Sequence, residues 1–266
     1  MEDIVNNNIK LIMLDLVGVL VFEREDVLND KEDKIERLFG PNLSDEEYLN
    51  NKINIIYDKN ELIDITKNII NKLYYVKDKD IKVVSPSSKT VLLAQKMGLT
   101  VLNTQYVDHV DIAFDGCDEV DSHLNALKSG GGIHTQEKII ASMADEYIVL
   151  VDESKFHETL AFKVPVVVEV LPKAYSVVKK KLEKLNGNVE LRTASNKDGF
   201  LMSDEGNILL DVYFDGVQDI RLLNQTLLMM PGVVDTSLFV DILTGMILVN
   251  DKGVFKKERN GEFYAL

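Results

Sequence analysis

The chain has 266 residues, 45% of them hydrophobic, and a formal net charge of −14. That length and apolar fraction suffice for a buried core, and the acidic balance argues against nucleic acid or an anionic membrane surface as partner. A lone Cys117 excludes an intrachain disulfide and fits a reducing cytoplasm, and the opening Met1-Glu2-Asp3-Ile4 lacks the basic region and apolar core of a secretory leader.

Residues 9–14 read as a strand running into Asp15-Leu16-Val17-Gly18-Val19-Leu20. That run looks like the opening Asp-x-Asp-Gly-Val/Thr-Leu of haloacid-dehalogenase phosphatases, but Val17 stands where the motif needs its acid/base aspartate, so it is read as a strand and turn. Residues 26–51 are charged and polar, broken by Gly40-Pro41. A helix over 45–50, a strand over 53–57 and a helix over 62–73 follow. Next come a strand over 81–85, a helix over 89–97, and strands over 100–103 and 107–114. This alternation predicts an α/β fold, a doubly wound, mostly parallel, Rossmann-like sheet.

Beyond residue 164 the pattern changes. A strand over 166–170, a helix over 174–185 closed by Asn186-Gly187, and strands over 189–193 and 208–214 come first. A helix over 220–229, ended by Pro231-Gly232, and a strand over 233–240 complete a β-α-β-β-α-β order, the split βαβ arrangement. A strand over 246–250 returns to the main sheet. The expected domains are therefore 1–163 with 241–266, and a smaller α+β domain over 164–240 that caps the site or forms a subunit contact.

The chemistry concentrates between residues 115 and 137. Asp115-Gly116-Cys117-Asp118-Glu119-Val120-Asp121 is followed by Lys128-Ser129-Gly130-Gly131-Gly132 and, at the start of a helix expected over 137–143, Glu137. Taken singly, an Asp-Gly pair marks a turn, a glycine triplet a flexible loop, and Glu137-Lys138 a solvated helix start. Together they suit proton transfer beside a developing oxyanion, which needs a base near a carbon-bound proton and donors for the resulting charge. Glu137 is the candidate base, raised in pKa by partial burial, and Lys128 its positive partner. The amides of Gly130, Gly131 and Gly132 form a candidate anion nest, and Asp115 and Asp118 are placed to handle hydroxyl protons. Cys117 reads as a small packed residue and His134 as a loop histidine without catalytic duty.

This stretch resembles the ribose-5-phosphate isomerase A family, whose signature runs Asp-Gly-Ala-Asp-Glu-Ile/Val-Asp, then Lys-Gly-Gly-Gly, then Arg-Glu-Lys at a helix start. Lys128 stands nine positions before Glu137, as the family spacing requires. Val83-Val84-Ser85-Pro86-Ser87-Ser88 resembles the family's serine-rich loop, and Val151-Asp152-Glu153-Ser154-Lys155 its Asp-x-Ser-Lys segment. Residues 166–172, Gly206-Asn207-Ile208-Leu209-Leu210-Asp211 and Pro231-Gly232-Val233-Val234 resemble further family blocks, so the likeness covers residues 82–255. It implies interconversion of ribose 5-phosphate and ribulose 5-phosphate through an enediolate, with no metal or organic cofactor. Glu137 would move the proton between C1 and C2, Lys128 would stabilise charge on the sugar oxygens, and Asp115 and Asp118 would assist ring opening. Lys155, Ser87, Ser88 and the three glycines would contact substrate. A cytoplasmic homodimer or homotetramer is also implied.

Three departures stand out. Ser129 replaces the first glycine after the lysine, Gln136 replaces the arginine before the glutamate, and no Gly-Thr-Gly-Ser-Thr phosphate loop occurs in residues 1–81. By length, that loop's counterpart falls at residues 53–61, where Asp58 and Glu61 repel a phosphate and Lys59 alone attracts it. Lys10, Lys155 or a partner subunit's residue could take over the phosphate. The missing loop leaves open a phosphosugar sensor or an isomerase of another pentose. Retention of Glu137 and Lys128 favours the enzyme, because a sensor needs no carbon base.

Overall fold

The computed structural model describes residues 11–14, 82–96, 98–194, 198–250 and 252–265. Chain order begins with β1 (Leu11–Leu14), β2 (Lys82–Val84), helix α1 (Ser88–Lys96), β3 (Thr100–Val101) and β4 (Val110–Asp115). Two short strands, β5 (Glu119–Asp121) and β6 (Ala126–Leu127), lead to α2 (His134–Met143), β7 (Ala144–Asp152) and β8 (Phe156–His157). There follow β9 (Val166–Val170), α3 (Tyr175–Lys184), β10 (Gly187–Leu191), β11 (Ile208–Phe214), α4 (Ile220–Leu228) and β12 (Val233–Thr236). Last come β13 (Leu238–Phe239), β14 (Gly245–Asn250), β15 (Gly253–Glu258) and β16 (Tyr264–Ala265). The readings made for residues 15–20, 26–51, 53–57, 53–61 and 62–73, including the helix over 45–50, lie outside the described residues.

The fold is α/β. Continuous aliphatic runs such as Ile148–Val151 in β7 and Met246–Val249 in β14 are buried along their length, as strands covered on both faces require. They pair in parallel in the order β3-β2-β1-β4-β7-β14, and β15 and β16 extend this sheet in antiparallel fashion. Leu14 stands beside Phe114 and Met13 beside Val84, so the strand order reverses between β1 and β4. Such a reversal opens a crevice at the carboxyl ends of the strands. The β15–β16 extension carries the charged run Lys256-Lys257-Glu258 and was not anticipated from the sequence.

A second sheet has the order β10-β11-β9-β12 with every neighbour antiparallel, which is the β-α-β-β-α-β arrangement expected for residues 166–240. Val178 and Leu182, one turn apart on α3, are fully buried against it, while Lys179 and Glu183 pair on the outer face. Asn186, at φ 61, ends α3 in the left-handed conformation and feeds Gly187 into β10. Asp219 caps α4 by accepting from the Leu222 amide at 2.9 Å.

The segment expected as one strand over 233–240 is two. The chain breaks at Ser237, where N donates to Val167 O and Oγ accepts from Val167 N, each at 2.8 Å. Beyond it β13 joins a third sheet of order β13-β6-β5-β8. That sheet separates two cores by simple alternation. Ala126 and Phe239 face the core of the main sheet, whereas their neighbours Leu127 and Leu238 face the core of the second sheet.

Glu119 fastens this septum. Its carboxylate, 2% exposed, accepts the amides of Ala161 and Phe162 at 2.8 and 2.9 Å and those of Lys163 and Val164 at 2.5 and 3.2 Å. Replacing Glu119 with alanine strands four amide donors, and stability is expected to fall by about 3 kcal/mol. A urea midpoint lowered at unchanged m-value is the expected reading.

Candidate active site

Strand β4 delivers Asp115 to the carboxyl-terminal rim of the parallel sheet, where it is fully buried. Its Oδ1 accepts from the Gly116 amide at 2.7 Å, and its Oδ2 accepts from the hydroxyl of Tyr147 on β7. The chain then turns through Cys117 and Asp118 into the septum and returns along β6 to Lys128, whose amide donates to Ser237 O at 3.0 Å. Positive φ values at Gly131 (+45) and Gly132 (+75) reverse the chain into α2. A Cβ at Gly132 would have to displace the Leu209 side chain, whose Cδ1 lies 2.6 Å from it, and the left-handed conformation favours glycine there. Helix α2 begins at His134, three residues before the expected start, because the left-handed turn already ends at Gly132 and the Glu137 amide closes the first turn on Ile133 O.

The return brings Glu137 under Lys128. The ammonium of Lys128 lies 2.8 Å from Asp115 Oδ1 and 3.3 Å from Glu137 Oε1, and it donates to Gly116 O at 2.5 Å. These contacts use its three protons, and the one to Glu137 is the longest. Both Lys128 and Glu137 are buried. Burial alone would discharge Lys128, but the carboxylates of Asp115 and Glu137 outweigh it and hold its pKa above the ordinary value. Burial, then Asp115, push the Tyr147 phenol well up, so Tyr147 serves as a donor.

Asp118 turns toward the glycine loop, and its Oδ2 accepts the amides of Ser129 at 2.6 Å and Gly130 at 2.9 Å. The Gly132 amide donates to Gly130 O. Two of the three amides read as an anion nest are thus already engaged, Gly130 by Asp118 and Gly132 within the loop itself. Lys155 lies in the 3-10 turn after β7 and donates to Cys117 O at 3.0 Å; burial lowers its pKa. Burial likewise pushes the Cys117 thiol up to about 12, in keeping with its reading as a packed residue. Ser87 accepts from the Thr90 amide at the start of α1, and Ser88 is exposed. Strand β1 stands between β2 and β4, so this serine loop and Asp115 share a rim but sit roughly 10 Å apart.

Several contributors carried no signal in the sequence. Tyr147 looks like one more apolar residue of β7. Phe239 is fully buried beside Tyr147, with ring centroids 6.1 Å apart, and has Lys128 Nζ at 5.7 Å and Lys138 Nζ at 5.1 Å from its centroid. Arg192, Glu169 and Thr135 reach the site segment from distant parts of the chain or through side chains whose partners only folding supplies.

The model of the ribose 5-phosphate isomerase A (phosphoriboisomerase A) family matches residues 82–253. The chain belongs to the ribose 5-phosphate isomerase A family. The ribose-5-phosphate isomerase A of Thermococcus kodakarensis is 42% identical over 180 residues, covering 68% of this chain and 79% of that one. Its counterpart from a Synechococcus species is 42% identical over 172 residues, covering 65% and 74%. Among solved structures, a D-ribose-5-phosphate isomerase in complex with phospho-erythronic acid superposes with a TM-score of 0.67 at 38% identity, covering 71% of this chain and 82% of that one. The Methanocaldococcus jannaschii enzyme gives 0.67 at 31%, covering 75% and 88%. The family match begins at the residue where β2 begins, and residues 1–81 lie outside it.

His134 is the oddity of this candidate site. It is fully buried, and neither ring nitrogen makes a hydrogen bond of good geometry. Burial, reinforced by the Lys138 ammonium, lowers its pKa from 6.5 to about 3. The unfolded chain takes up this proton near 6.5 and the folded one refuses it until about 3. Stability is therefore complete above 6.5 and drains away as pH falls toward 3. At pH 5 the loss amounts to about 2 kcal/mol. In His134→Leu, denaturation at pH 7.5 and pH 5 should show that much less acid destabilisation than in the unsubstituted chain.

Proposed function

We propose that this protein interconverts D-ribose 5-phosphate and D-ribulose 5-phosphate through an enediolate, as an aldose–ketose isomerase of pentose phosphate metabolism. The observation that carries the reading is the buried contact between Lys128 and Glu137, a candidate base held beside a cation that Asp115 fixes in place. Membership of the family supports it, as does the relative solved with phospho-erythronic acid, a phosphorylated sugar acid.

In the proposed reaction a sugar oxygen takes the place of Glu137 at its long contact with Lys128. Glu137, released from its counter-ion, is then the stronger base. It removes the proton from C2 of the open-chain aldose, and the electron pair moves through C1 to the carbonyl oxygen, whose negative charge Lys128 meets. Returning that proton to C1, while the O2 hydroxyl proton passes by way of a carboxylate to the O1 oxyanion, yields the ketose. Asp118, at the partly exposed lip, and Asp115, beneath it, assist ring opening and hydroxyl proton transfer. The glycine loop of Gly130, Gly131 and Gly132 contacts the sugar, while Lys155 contributes positive charge near the substrate. Ser87 and Ser88, on the same rim, line its far side.

The same reading takes residues 1–163 with 241–266 as a doubly wound catalytic domain and residues 164–240 as a smaller domain. It takes the protein as a cytoplasmic homodimer or homotetramer. The test is ribulose 5-phosphate formation by the purified protein, with Glu137→Gln alongside. Turnover is expected in the unsubstituted chain and a loss of about 10³-fold in kcat in the variant, with phosphosugar binding by calorimetry unchanged within a few-fold. An inactive unsubstituted chain, or a fully active variant, would overturn the reading.

A further inference from the structure

We propose that the small sheet sets the geometry of the proton-transfer pair through two charged positioning residues, Arg192 and Glu169, which grip the segment between Lys128 and Glu137 near its two ends. This inference rests on the isomerase reading above.

The segment needs such anchors. Lys128 and Glu137 are joined through Gly130, Gly131 and Gly132, two of which hold left-handed conformations while Gly130 and Gly131 are exposed. A glycine turn of this kind has many alternative shapes and does not by itself fix the distance between its ends. The residues on either side of it are fixed instead. Ser129, next to Lys128, has every polar group tied. Its amide goes to Asp118, its hydroxyl donates to Pro165 O, and its carbonyl accepts from Arg192 Nη2 at 2.8 Å. Arg192 is itself held by Asp211 of β11, its Nε lying 3.0 and 3.1 Å from the two carboxylate oxygens. The Ser129 hydroxyl occupies a position where the family pattern has glycine, so this tether belongs to the present chain.

At the other end Thr135, two residues before Glu137, donates its hydroxyl to Glu169 Oε2. Glu169 sits on β9 at 1% exposure, and its Oε1 accepts from Ser203 Oγ at 2.6 Å and Asn207 Nδ2 at 2.8 Å. Burial disfavours its charge, but these hydrogen bonds outweigh it and keep its pKa below the ordinary value. A buried carboxylate bonded to two hydroxyls and a carboxamide is a poor device for stability alone, since apolar packing does as well without the desolvation. It is a good device for fixing one hydroxyl in place. Lys138 adds a third tie beyond Glu137, to Asp235 Oδ1 at 2.8 Å and Thr236 O at 2.6 Å.

Glu169 itself is a poor target, because its loss strands three donors and invites misfolding. Thr135→Val and Arg192→Lys are milder. Valine keeps the shape without the hydroxyl, and lysine keeps the charge without the fork that spans Asp211 and Ser129. Each is compared with the unsubstituted chain and with Thr135→Ser. Misplacing the reacting groups by a fraction of an ångström is expected to lower kcat about tenfold, with KM within about twofold. Tm should stay within about 3 °C of the unsubstituted value, and Thr135→Ser should restore kcat. Unchanged kcat in both variants, beside an active unsubstituted chain, overturns this inference alone. A loss that follows Tm and is not restored by serine overturns it too, leaving a purely structural tie. An inactive unsubstituted chain overturns the isomerase reading and this inference together.

Discussion

The arrangement depends on burying one ammonium between two carboxylates. Removing Lys128, Asp115 and Glu137 from water carries a desolvation penalty that mutual attraction repays only when the geometry is good and the remaining protons and lone pairs are satisfied. Here they are. Gly116 O takes the third proton of Lys128, while Gly116 N and the Tyr147 hydroxyl occupy the oxygens of Asp115. The longest contact in the set, to Glu137, is the one that a substrate oxygen can most easily replace. The network is held closest at Asp115 and Gly116 and least closely at the contact proposed to open for the substrate.

No single sheet could build that network. Asp115 and Tyr147 come from adjacent parallel strands of the main sheet, Lys128 from the end of the septum, and Glu137 from a helix packed between the main and second sheets. The septum makes this possible because two-residue strands can present one side chain to each of two cores. Ala126 and Leu127 do so on one strand, Phe239 and Leu238 on the other. The same strands place Lys128 beyond the edge of both cores, with the Phe239 ring beside its ammonium. A buried cation near an aromatic face gains electrostatic attraction without needing another hydrogen-bond acceptor.

Two of the departures from the family pattern, Ser129 and Gln136, find partners within the fold. Ser129, in place of glycine, buries a hydroxyl, and that hydroxyl finds Pro165 O. Gln136, in place of arginine, donates its side-chain amide to Glu205 and so links α2 to the 203–207 turn without a charge of its own. His134 stays neutral at the helix start because its surroundings exclude water.

The sequence by itself determined the local periodicities and the chemistry at hand. Continuous aliphatic runs marked β9 and β14, the split β-α-β-β-α-β order was legible from alternating strand and helix patterns, and the spacing from Asp115 through Lys128 to Glu137 pointed to the candidate site. Those features are encoded within a few residues of one another, where strand and helix periods are read directly. Only the tertiary structure decided that residues 233–240 divide between two sheets, since the break at Ser237 comes from bonds to Val167, some seventy residues away. It also decided that Tyr147 and Phe239 join the site and that Asp118 serves the glycine loop. Arg192 and Glu169, too, hold the segment from a different sheet. Hydrogen bonds between distant residues leave no periodic trace in a chain, because their partners become neighbours only when the sheets pack.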